Sequence, residues 1–234
     1  MRELYYQDAY LKVFDAVVEE VIDEHYILLN HTAFYPQGGG QPSDIGILIR
    51  DGETFIVEHV KKENGKIVHE VTKHGLEKGD SVKGQINWEK RHKLMKMHTA
   101  AHVVSAVMHL KTGALITGNQ LGEELTRIDF SLENFDREKI QNYVDEANRF
   151  VQKDLPVKSY FITKKEAENI EQLSKLAKGL PEHLKDIRIV EIEGLDKQGD
   201  GGTHVKSLKE VGEIVLEKIE NKGSKNRRLY FSLR

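Results

Sequence analysis

The sequence predicts an α+β protein in which a small antiparallel β-barrel precedes a domain of helices packed on an antiparallel sheet. Residues 1–87 consist of short apolar runs separated by turn signals, a pattern typical of small barrels and sandwiches. Residues 88–234 instead alternate helical periodicity with strand-like runs and end in consecutive strands, which favours an α+β domain. We therefore expect two domains, with the boundary near residue 87.

The barrel prediction depends on six apolar runs of strand length. Turn-forming dipeptides lie between them, among them Asn64-Gly65 and Gly79-Asp80, because Gly, Asn and Asp accept the backbone angles of tight turns. The predicted strands cover residues 13–18, 26–29, 45–49, 55–60, 67–71 and 82–86.

Three helices are predicted in the second domain. The first covers 88–111, where Asn87 can cap the free N–H groups of the first turn and Gly113 can end the helix. The second covers 137–153 and has apolar residues at helical spacing, and the third covers 163–179 and opens with a capping box. Strand-like runs lie between and after them at 126–132, 157–162, 187–192, 213–219 and 228–233.

Composition restricts the possible functions. The chain of 234 residues contains no cysteine, so disulfides, thiolate metal sites and cysteine nucleophiles are excluded. No apolar run approaches the ~18 residues that a membrane span needs, and the polar amino terminus lacks the apolar core of a secretory signal. We therefore expect a cytoplasmic protein without a membrane partner. Residues 88–234 carry 26 basic and 23 acidic residues, a balance that permits a polyanionic partner there.

The most informative motif is a pair of histidines, His98 and His102, in the first predicted helix. Residues four apart lie on one helix face, so both imidazoles can bind one divalent cation. The alternative is a pair of core or surface histidines whose hydrogen bonds are satisfied within the protein. A second cluster, Asp200 and His204 in the glycine-rich segment 199–204, adds a carboxylate and a third imidazole. The two clusters together provide four ligands of the kind that zinc accepts, although the carboxylate leaves other divalent ions possible.

A third motif is the glycine-rich segment 33–42, Ala-Phe-Tyr-Pro-Gln-Gly-Gly-Gly-Gln-Pro. It lacks the GxxxxGK pattern and no helix follows it, which excludes a phosphate loop or a dinucleotide fingerprint. Two interpretations remain: a hairpin turn, or a loop in which missing side chains let a ligand approach the backbone.

These motifs, in this order, resemble those of the AlaX-type alanyl-tRNA editing proteins and of the editing domain of alanyl-tRNA synthetase. The family's HxxxH element is matched by His98 and His102, and its CGGTH string by residues 200–204. The glycine-rich segment and the closing segment 219–231 are also similar, and the length is like that of the intermediate-size, free-standing type. One departure matters, because Asp200 replaces the family's cysteine. Either Asp200 binds the metal, or three histidines bind it and leave a position open, or the site is inactive.

The resemblance implies that the chain hydrolyses the ester between a wrong amino acid and tRNA(Ala), with serine as the main target and glycine left open. The metal would activate water, polarise the ester, or only hold the substrate. The implied metal ligands are His98, His102, Asp200 and His204, and the implied catalytic residues are His98, His102 and Thr117. The rival readings are a metal-dependent hydrolase of a small molecule and a non-catalytic RNA-binding module with a structural metal.

Thr117 is predicted to distinguish serine from alanine in the substrate. A polar group that hydrogen-bonds the serine hydroxyl is left unpaired when alanine is bound, so alanine is rejected. The alternative is an ordinary turn threonine. Predicted contacts to the aminoacyl end are Gly39, Gly40, Gln41, Thr117, Gln120 and Thr203. Predicted contacts to tRNA phosphates are Arg91, Lys93, Lys222, Lys225, Arg227 and Arg228. The sequence leaves open whether the chain is a monomer or a homodimer.

Overall fold

A leading β-barrel and a mixed part of helices and antiparallel sheets make up the fold, which confirms the predicted class. The computed structural model describes residues 2–133, 136–167, 169–170, 173 and 186–234. The contacts within the chain divide it into two units, Met1–Leu94 and Met95–Arg234. No helix in these described ranges is long and apolar enough to cross a bilayer. The predicted division into a barrel domain at 1–87 and a metal-binding editing domain at 88–234 stays a prediction.

Residues 2–94, the described part of the first unit, contain eight strands, six of which close a barrel. The strands are β1 (Arg2–Glu3), β2 (Val13–Ile22), β3 (Tyr26–Leu29), β4 (His31–Thr32), β5 (Gly46–Arg50), β6 (Glu53–Glu63), β7 (Lys66–Val71) and β8 (Ser81–Ile86). The barrel order is β2-β3-β7-β6-β5-β8, with every neighbouring pair antiparallel. All six predicted runs form barrel strands, whereas the two-residue strands β1 and β4 pair with each other in parallel.

The barrel interior is filled by side chains. Residues of β2 and β8 alternate between buried and exposed positions, as expected for strands with one face toward a core. Phe34, Leu48 and Phe55 are fully buried. A Cβ at Gly84 would lie 2.4 Å from the ring of Phe14, so this strand position requires glycine because an aromatic ring occupies the space of a side chain.

The second unit combines most of a long helix with two antiparallel sheets. Its elements, taken from the start of that helix, are α1 (Trp88–Thr112), β9 (Ile116–Gln120), β10 (Thr126–Phe130), α2 (Arg137–Gln152), β11 (Val157–Thr163), α3 (Lys164–Ala167), β12 (Asp186–Ile192), β13 (Asp196–Gly199), β14 (Ile214–Asn221) and β15 (Arg227–Leu233). The sheet orders are β14-β15-β10-β9 and β11-β12-β13. Helix α2 packs on β14, where the amide of Asn148 exchanges two hydrogen bonds of 2.8 Å with the backbone of Ile214.

The helix ends follow the predicted signals. Asn87 accepts a hydrogen bond from the backbone N–H of Lys90 at 3.1 Å, and Gly113 follows α1 with a φ of 70°. The predicted third helix is shorter than expected. Its capping box is present, since Thr163 and Glu166 each accept from the other's backbone N–H, but α3 ends at Ala167. Residues 169–170 form a turn and a bend, and most of the remaining predicted helix lies outside the described residues.

Candidate metal centre

Helix α1 presents His98 and His102 on one buried face, where they are 3% and 6% exposed. Asp200 and His204 follow β13, and the ring of His204 lies 4.3 Å from that of His98 and 4.7 Å from that of His102. One nitrogen or carboxylate oxygen from each of the four residues lies within 4.8 Å of all the others. The structure therefore brings together the four side chains that the sequence singles out.

The distances around Asp200 suit a small divalent cation. Its Oδ2 lies 3.4 Å from Nε2 of His98 and 3.9 Å from Nε2 of His102, and its Oδ1 lies 3.1 Å from Nε2 of His204. Bonds of about 2.0 Å at tetrahedral angles place neighbouring zinc ligands about 3.3 Å apart. The Asp200 side chain is 19% exposed, so the cluster borders solvent on this side. Three imidazoles and a carboxylate are donors that zinc accepts, and the residues present fit the cation.

Two of the histidines have hydrogen-bond partners on the ring nitrogen that faces away from Asp200. Nδ1 of His102 lies 2.9 Å from Oδ2 of Asp196, and because a carboxylate can only accept, Nδ1 carries the hydrogen. Nδ1 of His204 lies 3.2 Å from Oγ1 of Thr99. Both rings thus direct Nε2 into the cluster, as metal-binding histidines do.

A buried arginine holds the loop that carries Asp200. Arg188 on β12 is 7% exposed, and its Nη1 donates to the backbone oxygens of Asp200 at 3.0 Å and Gly202 at 2.9 Å. The backbone N–H of Asp200 donates to the oxygen of Arg188 at 3.0 Å. The backbone N–H of Gly202 in turn donates to Oδ1 of Asp200 at 2.6 Å. Sequence analysis missed Arg188, although an arginine between the apolar residues Ile187 and Ile189 is a signal of a buried polar role.

Burial and charge act against each other in this cluster. Burial opposes a charge on His102, but hydrogen bonds with the carboxylates of Asp196 and Asp200 outweigh it and raise the pKa of His102 to about 9. Burial, together with the charge of His98, holds the pKa of His204 well below its usual value. Burial by itself would raise the pKa of Asp200, yet the charge of His98 and hydrogen bonds with the histidines hold it well below its usual range. The carboxylate is therefore ionised, which favours a cation.

The glycine-rich motif forms a tight turn, as one of its two interpretations predicts. Gly38 and Gln41 exchange backbone hydrogen bonds of 3.1 and 2.9 Å, and the two residues between them, Gly39 and Gly40, have φ values of 60° and 88°. Two successive positive φ angles define a two-residue turn that glycine adopts readily. Gln41 is fully buried, and the predicted substrate contacts of this motif stay predictions.

The other predicted substrate contacts lie on β9 or beside His204. Thr117 is exposed, and its hydroxyl donates to Oδ1 of Asn226 at 2.9 Å. Gln120 is exposed and accepts from Nε of Arg127 at 3.1 Å. Thr203 is fully buried in the loop before His204. The strand β9 was not predicted, because its sequence, Ile-Thr-Gly-Asn-Gln, lacks apolar alternation.

Three arginines predicted to contact tRNA are engaged within the protein. Arg91 is fully buried and binds the carboxylate of Asp44, with Nε 2.9 Å from Oδ1, and two backbone carbonyls. Arg227 is 8% exposed and donates to backbone oxygens of Glu133, Gly223 and Asn226. Arg228 forms two hydrogen bonds of 2.6 and 2.9 Å with Asp129. These contacts give Arg91 and Arg227 stabilising tasks that the sequence did not indicate.

The lysines among the predicted tRNA contacts are open to solvent. The side chain of Lys93 is 42% exposed, that of Lys222 39% and that of Lys225 77%. Each lies near a carboxylate, at 3.6 Å from Glu89 for Lys93 and 3.2 Å from Glu133 for Lys225. Exposed pairs of this kind contribute little stability, so these lysines can exchange partners readily.

Comparison with known proteins decides the family. The profile described as "tRNA synthetases class II (A)" matches residues 7–90, and the profile described as "Threonyl and Alanyl tRNA synthetase second additional domain" matches residues 187–230. A protein of Methanosarcina acetivorans named alanyl-tRNA editing protein AlaX-M is 48% identical, covering 98% of each chain. This chain belongs to the AlaX-M family of alanyl-tRNA editing proteins.

Further relatives agree with this membership. An AlaX-M protein of Saccharolobus solfataricus is 43% identical over 99% of this chain and 98% of its own. An alanine–tRNA ligase of Pyrobaculum neutrophilum is 37% identical over 94% of this chain but only 25% of the ligase. The similarity therefore extends over whole AlaX-M proteins and over one part of a larger synthetase, which confirms the resemblance seen in the motifs.

Proposed function

We propose that this chain hydrolyses the ester of mischarged tRNA(Ala), with seryl-tRNA(Ala) as the main substrate and glycyl-tRNA(Ala) as a second one. The observation that carries the proposal is the convergence of His98, His102, Asp200 and His204 in a chain 48% identical to an alanyl-tRNA editing protein. Ester hydrolysis needs a polarised carbonyl or an activated water, and a site that meets solvent beside a carboxylate supports both.

The cation that suits this site best is zinc, one per chain, held by the four side chains. The histidines supply neutral nitrogens and Asp200 supplies the charge. Because a carboxylate is a harder ligand than the thiolate it replaces, another divalent ion is the alternative. A cation held there would lower the pKa of a water molecule or polarise the ester carbonyl. It would do so through a fifth position beside the four ligands, or through the position that stays open when only the three histidines bind. Asp200, which borders solvent, marks the side from which substrate reaches the cluster.

Discrimination against correctly charged tRNA requires recognition of a single hydroxyl. Alanine would leave a polar group unpaired if that group is placed for serine, which rejects alanine strongly. Thr117 is our proposed reader, and its hydroxyl is already oriented by Asn226. Gln120 and the open turn at Gly39 and Gly40 are proposed to contact the aminoacyl end directly. Contacts from Gln41 and Thr203, which are fully buried, would require these two side chains to become exposed when substrate binds.

The tRNA is proposed to bind through exposed lysines, Lys93, Lys222 and Lys225, with Arg228 nearby. Phosphate contacts release counterions, so tRNA affinity should fall steeply as salt rises. The test is a filter-binding series between 50 and 200 mM salt, in which each lost lysine contact lowers the slope of log affinity against log salt by about 0.7–0.9. A flat salt dependence would argue against an electrostatic docking surface.

The central experiment measures metal content per chain and then compares deacylation of seryl-, glycyl- and alanyl-tRNA(Ala). We expect about one cation per chain, rapid deacylation of seryl-tRNA and slow deacylation of alanyl-tRNA. The variant His102→Ala should lose both cation and activity. His109→Ala is the matched control, because His109 lies on the same helix with its Nδ1 bound to the backbone oxygen of Ala114, outside the cluster.

The alternatives give different results in the same experiment. Cation binding without deacylation of any aminoacyl-tRNA, but with hydrolysis of a free aminoacyl ester, would indicate a small-molecule hydrolase. Cation binding with tRNA affinity and no hydrolysis would indicate an RNA-binding module with a structural metal. Full activity in a metal-free His102→Ala protein would remove the metal from the mechanism.

A further inference from the structure

The residue of interest is Asp196, which sequence analysis did not single out. It lies on β13, where Asp196 and Gln198 are each 5% exposed and the intervening Lys197 is partly exposed. Alternate residues of a strand point to opposite faces, so Asp196 and Gln198 share the buried face. A buried carboxylate is costly unless its oxygens are paired, so its partners reveal why it is there.

The partners of Asp196 lead directly to the cluster. Its Oδ2 accepts from Nδ1 of His102 at 2.9 Å and from Nε2 of Gln198 at 2.7 Å. Gln198 Nε2 also lies 3.5 Å from Nδ1 of His102. The side chain of Asp196 is fully buried, so its orientation is set by these contacts rather than by water.

We propose that Asp196 is a positioning residue that fixes the ring of His102 for cation binding, with Gln198 holding the carboxylate in place. The proposal rests on the proposed function in one respect, that the cluster binds a divalent cation. A carboxylate on the far nitrogen of a histidine fixes the hydrogen on that nitrogen, orients the ring and makes the near nitrogen a stronger donor. The neighbouring His204 has only a hydroxyl, that of Thr99, in this position.

Charge supports the same assignment. Asp196 and Asp200 are two carboxylates in contact with the same imidazole, and together they balance the charge of a divalent cation. A buried site with zero net charge avoids most of the penalty of burying an isolated ion. Removing Asp196 therefore weakens cation binding in two ways, through the orientation of His102 and through the charge balance.

The experiment measures Zn²⁺ affinity by competition with a chromophoric chelator. It compares the wild type, Asp196→Ala, Asp196→Asn and a control, Glu191→Gln. We expect Asp196→Ala to weaken Zn²⁺ binding by about 10- to 100-fold. Asp196→Asn keeps an oxygen that can accept from His102 but loses the charge. Its Zn²⁺ affinity should therefore lie between those of the wild type and Asp196→Ala. The control removes a carboxylate of the adjacent strand that receives the hydroxyl of Tyr160 and should leave the affinity unchanged.

A second readout is the visible spectrum of the Co²⁺ form, which reports ligand geometry independently of deacylation. We expect the Asp196→Ala spectrum to change in intensity and the Glu191→Gln spectrum to match the wild type. Circular dichroism shows whether each variant folds, and if the alanine variant does not, the isosteric asparagine variant decides.

Each outcome separates the two proposals. Unchanged Zn²⁺ affinity and Co²⁺ spectrum in a folded Asp196 variant would overturn the positioning role and leave the metal site intact. A wild type that binds neither Zn²⁺ nor Co²⁺ would overturn the metal site itself, and the role of Asp196 with it.

Discussion

Two buried histidines in different parts of the molecule show what separates a structural imidazole from a candidate ligand. His69 in the barrel is fully buried, with Nδ1 3.0 Å from the backbone oxygen of Ile27 and Nε2 2.8 Å from the hydroxyl of Thr32. Both of its nitrogens have uncharged partners. His102 has a carboxylate, that of Asp196, on Nδ1 and directs Nε2 toward other ligand atoms. Both imidazoles are buried, but His69 has only uncharged partners, whereas His102 has a charged one.

The difference appears in the charge that each ring tolerates. Burial lowers the pKa of His69 to about 4, because its uncharged partners do not compensate a proton's charge. Burial also opposes a charge on His102, but two carboxylates raise its pKa to about 9. A site built to accept positive charge can exchange a proton for a metal ion, whereas the surroundings of His69 resist both.

The largest expected effect comes from removing each of these two histidines in turn. His102→Ala should lower deacylation of seryl-tRNA by at least on the order of a thousandfold, because the loss of a metal ligand removes several kcal/mol of transition-state stabilisation. His69→Ala should instead lower the free energy of unfolding and leave the activity per folded molecule close to that of the wild type. Single-turnover rates and urea unfolding measure the two effects, and the reverse pattern would contradict the comparison.

The next largest effect is expected for Arg91. Its ion pair with Asp44 is, like the hydrogen bonds of His69, a buried polar group of the barrel unit whose partners lie within that unit. Arg91→Met should destabilise this unit by about 3–5 kcal/mol, because it leaves a buried carboxylate unpaired. The single tryptophan, Trp88, lies in the same unit and reports its unfolding by fluorescence.

Two controls sharpen this prediction. Adding Asp44→Asn to Arg91→Met should recover part of the loss, because the unpaired charge is removed. Arg50→Met breaks a partly exposed ion-pair cluster with Glu53 and Asp80 and should have a smaller effect. A stable Arg91→Met protein with weakened tRNA binding would favour the phosphate contact that the sequence predicts.

The sequence was most informative where a local pattern determines the structure. The barrel strands followed from apolar alternation and turn dipeptides, and the pairing of His98 and His102 followed from helical geometry. The convergence of Asp200 and His204 on that helix is a long-range contact, which the ligand chemistry of the two clusters suggested and the family resemblance supported. Local patterns cannot supply such contacts, since the residues are about a hundred positions apart in the chain.

What the sequence did not reveal are the buried polar residues that support the site and the barrel. Asp196 lies in Asp-Lys-Gln-Gly, a strand without apolar residues, so it resembles an exposed turn. Arg91 was predicted to contact tRNA phosphates, and the partner that buries it, Asp44, is 47 positions away. In both cases the signal is a distant partner, which a single sequence does not show.

A smaller effect is expected on the pH dependence of stability. The unfolded chain protonates His69 near pH 6.5, whereas the folded protein does so only near pH 4. Between these values the unfolded state binds more protons, so stability falls as the pH falls, by about 3 kcal/mol once the pH is below 4. The side chain in His69→Gln can donate to Ile27 and accept from Thr32 without titrating. The difference in free energy of unfolding between the wild type and this variant should therefore be smaller at pH 4 than at pH 7. Guanidinium unfolding at both pH values, followed by Trp88 fluorescence, measures this difference.

The smallest effect is expected on substrate selectivity, and it follows from a comparison of two threonine hydroxyls. Thr99 is fully buried and lies against His204, whereas Thr117 is exposed and held only from one side by Asn226. Thr117→Val keeps the shape and removes the hydroxyl, so it should narrow the ratio of seryl- to alanyl-tRNA deacylation roughly tenfold, the value of one hydrogen bond. Thr112→Val, which removes a hydroxyl bound to the backbone of α1, is the control. An unchanged ratio in the Thr117 variant would show that Thr117 does not select serine. The proposed cation site, which depends on the histidines and Asp200, would be unaffected by that result.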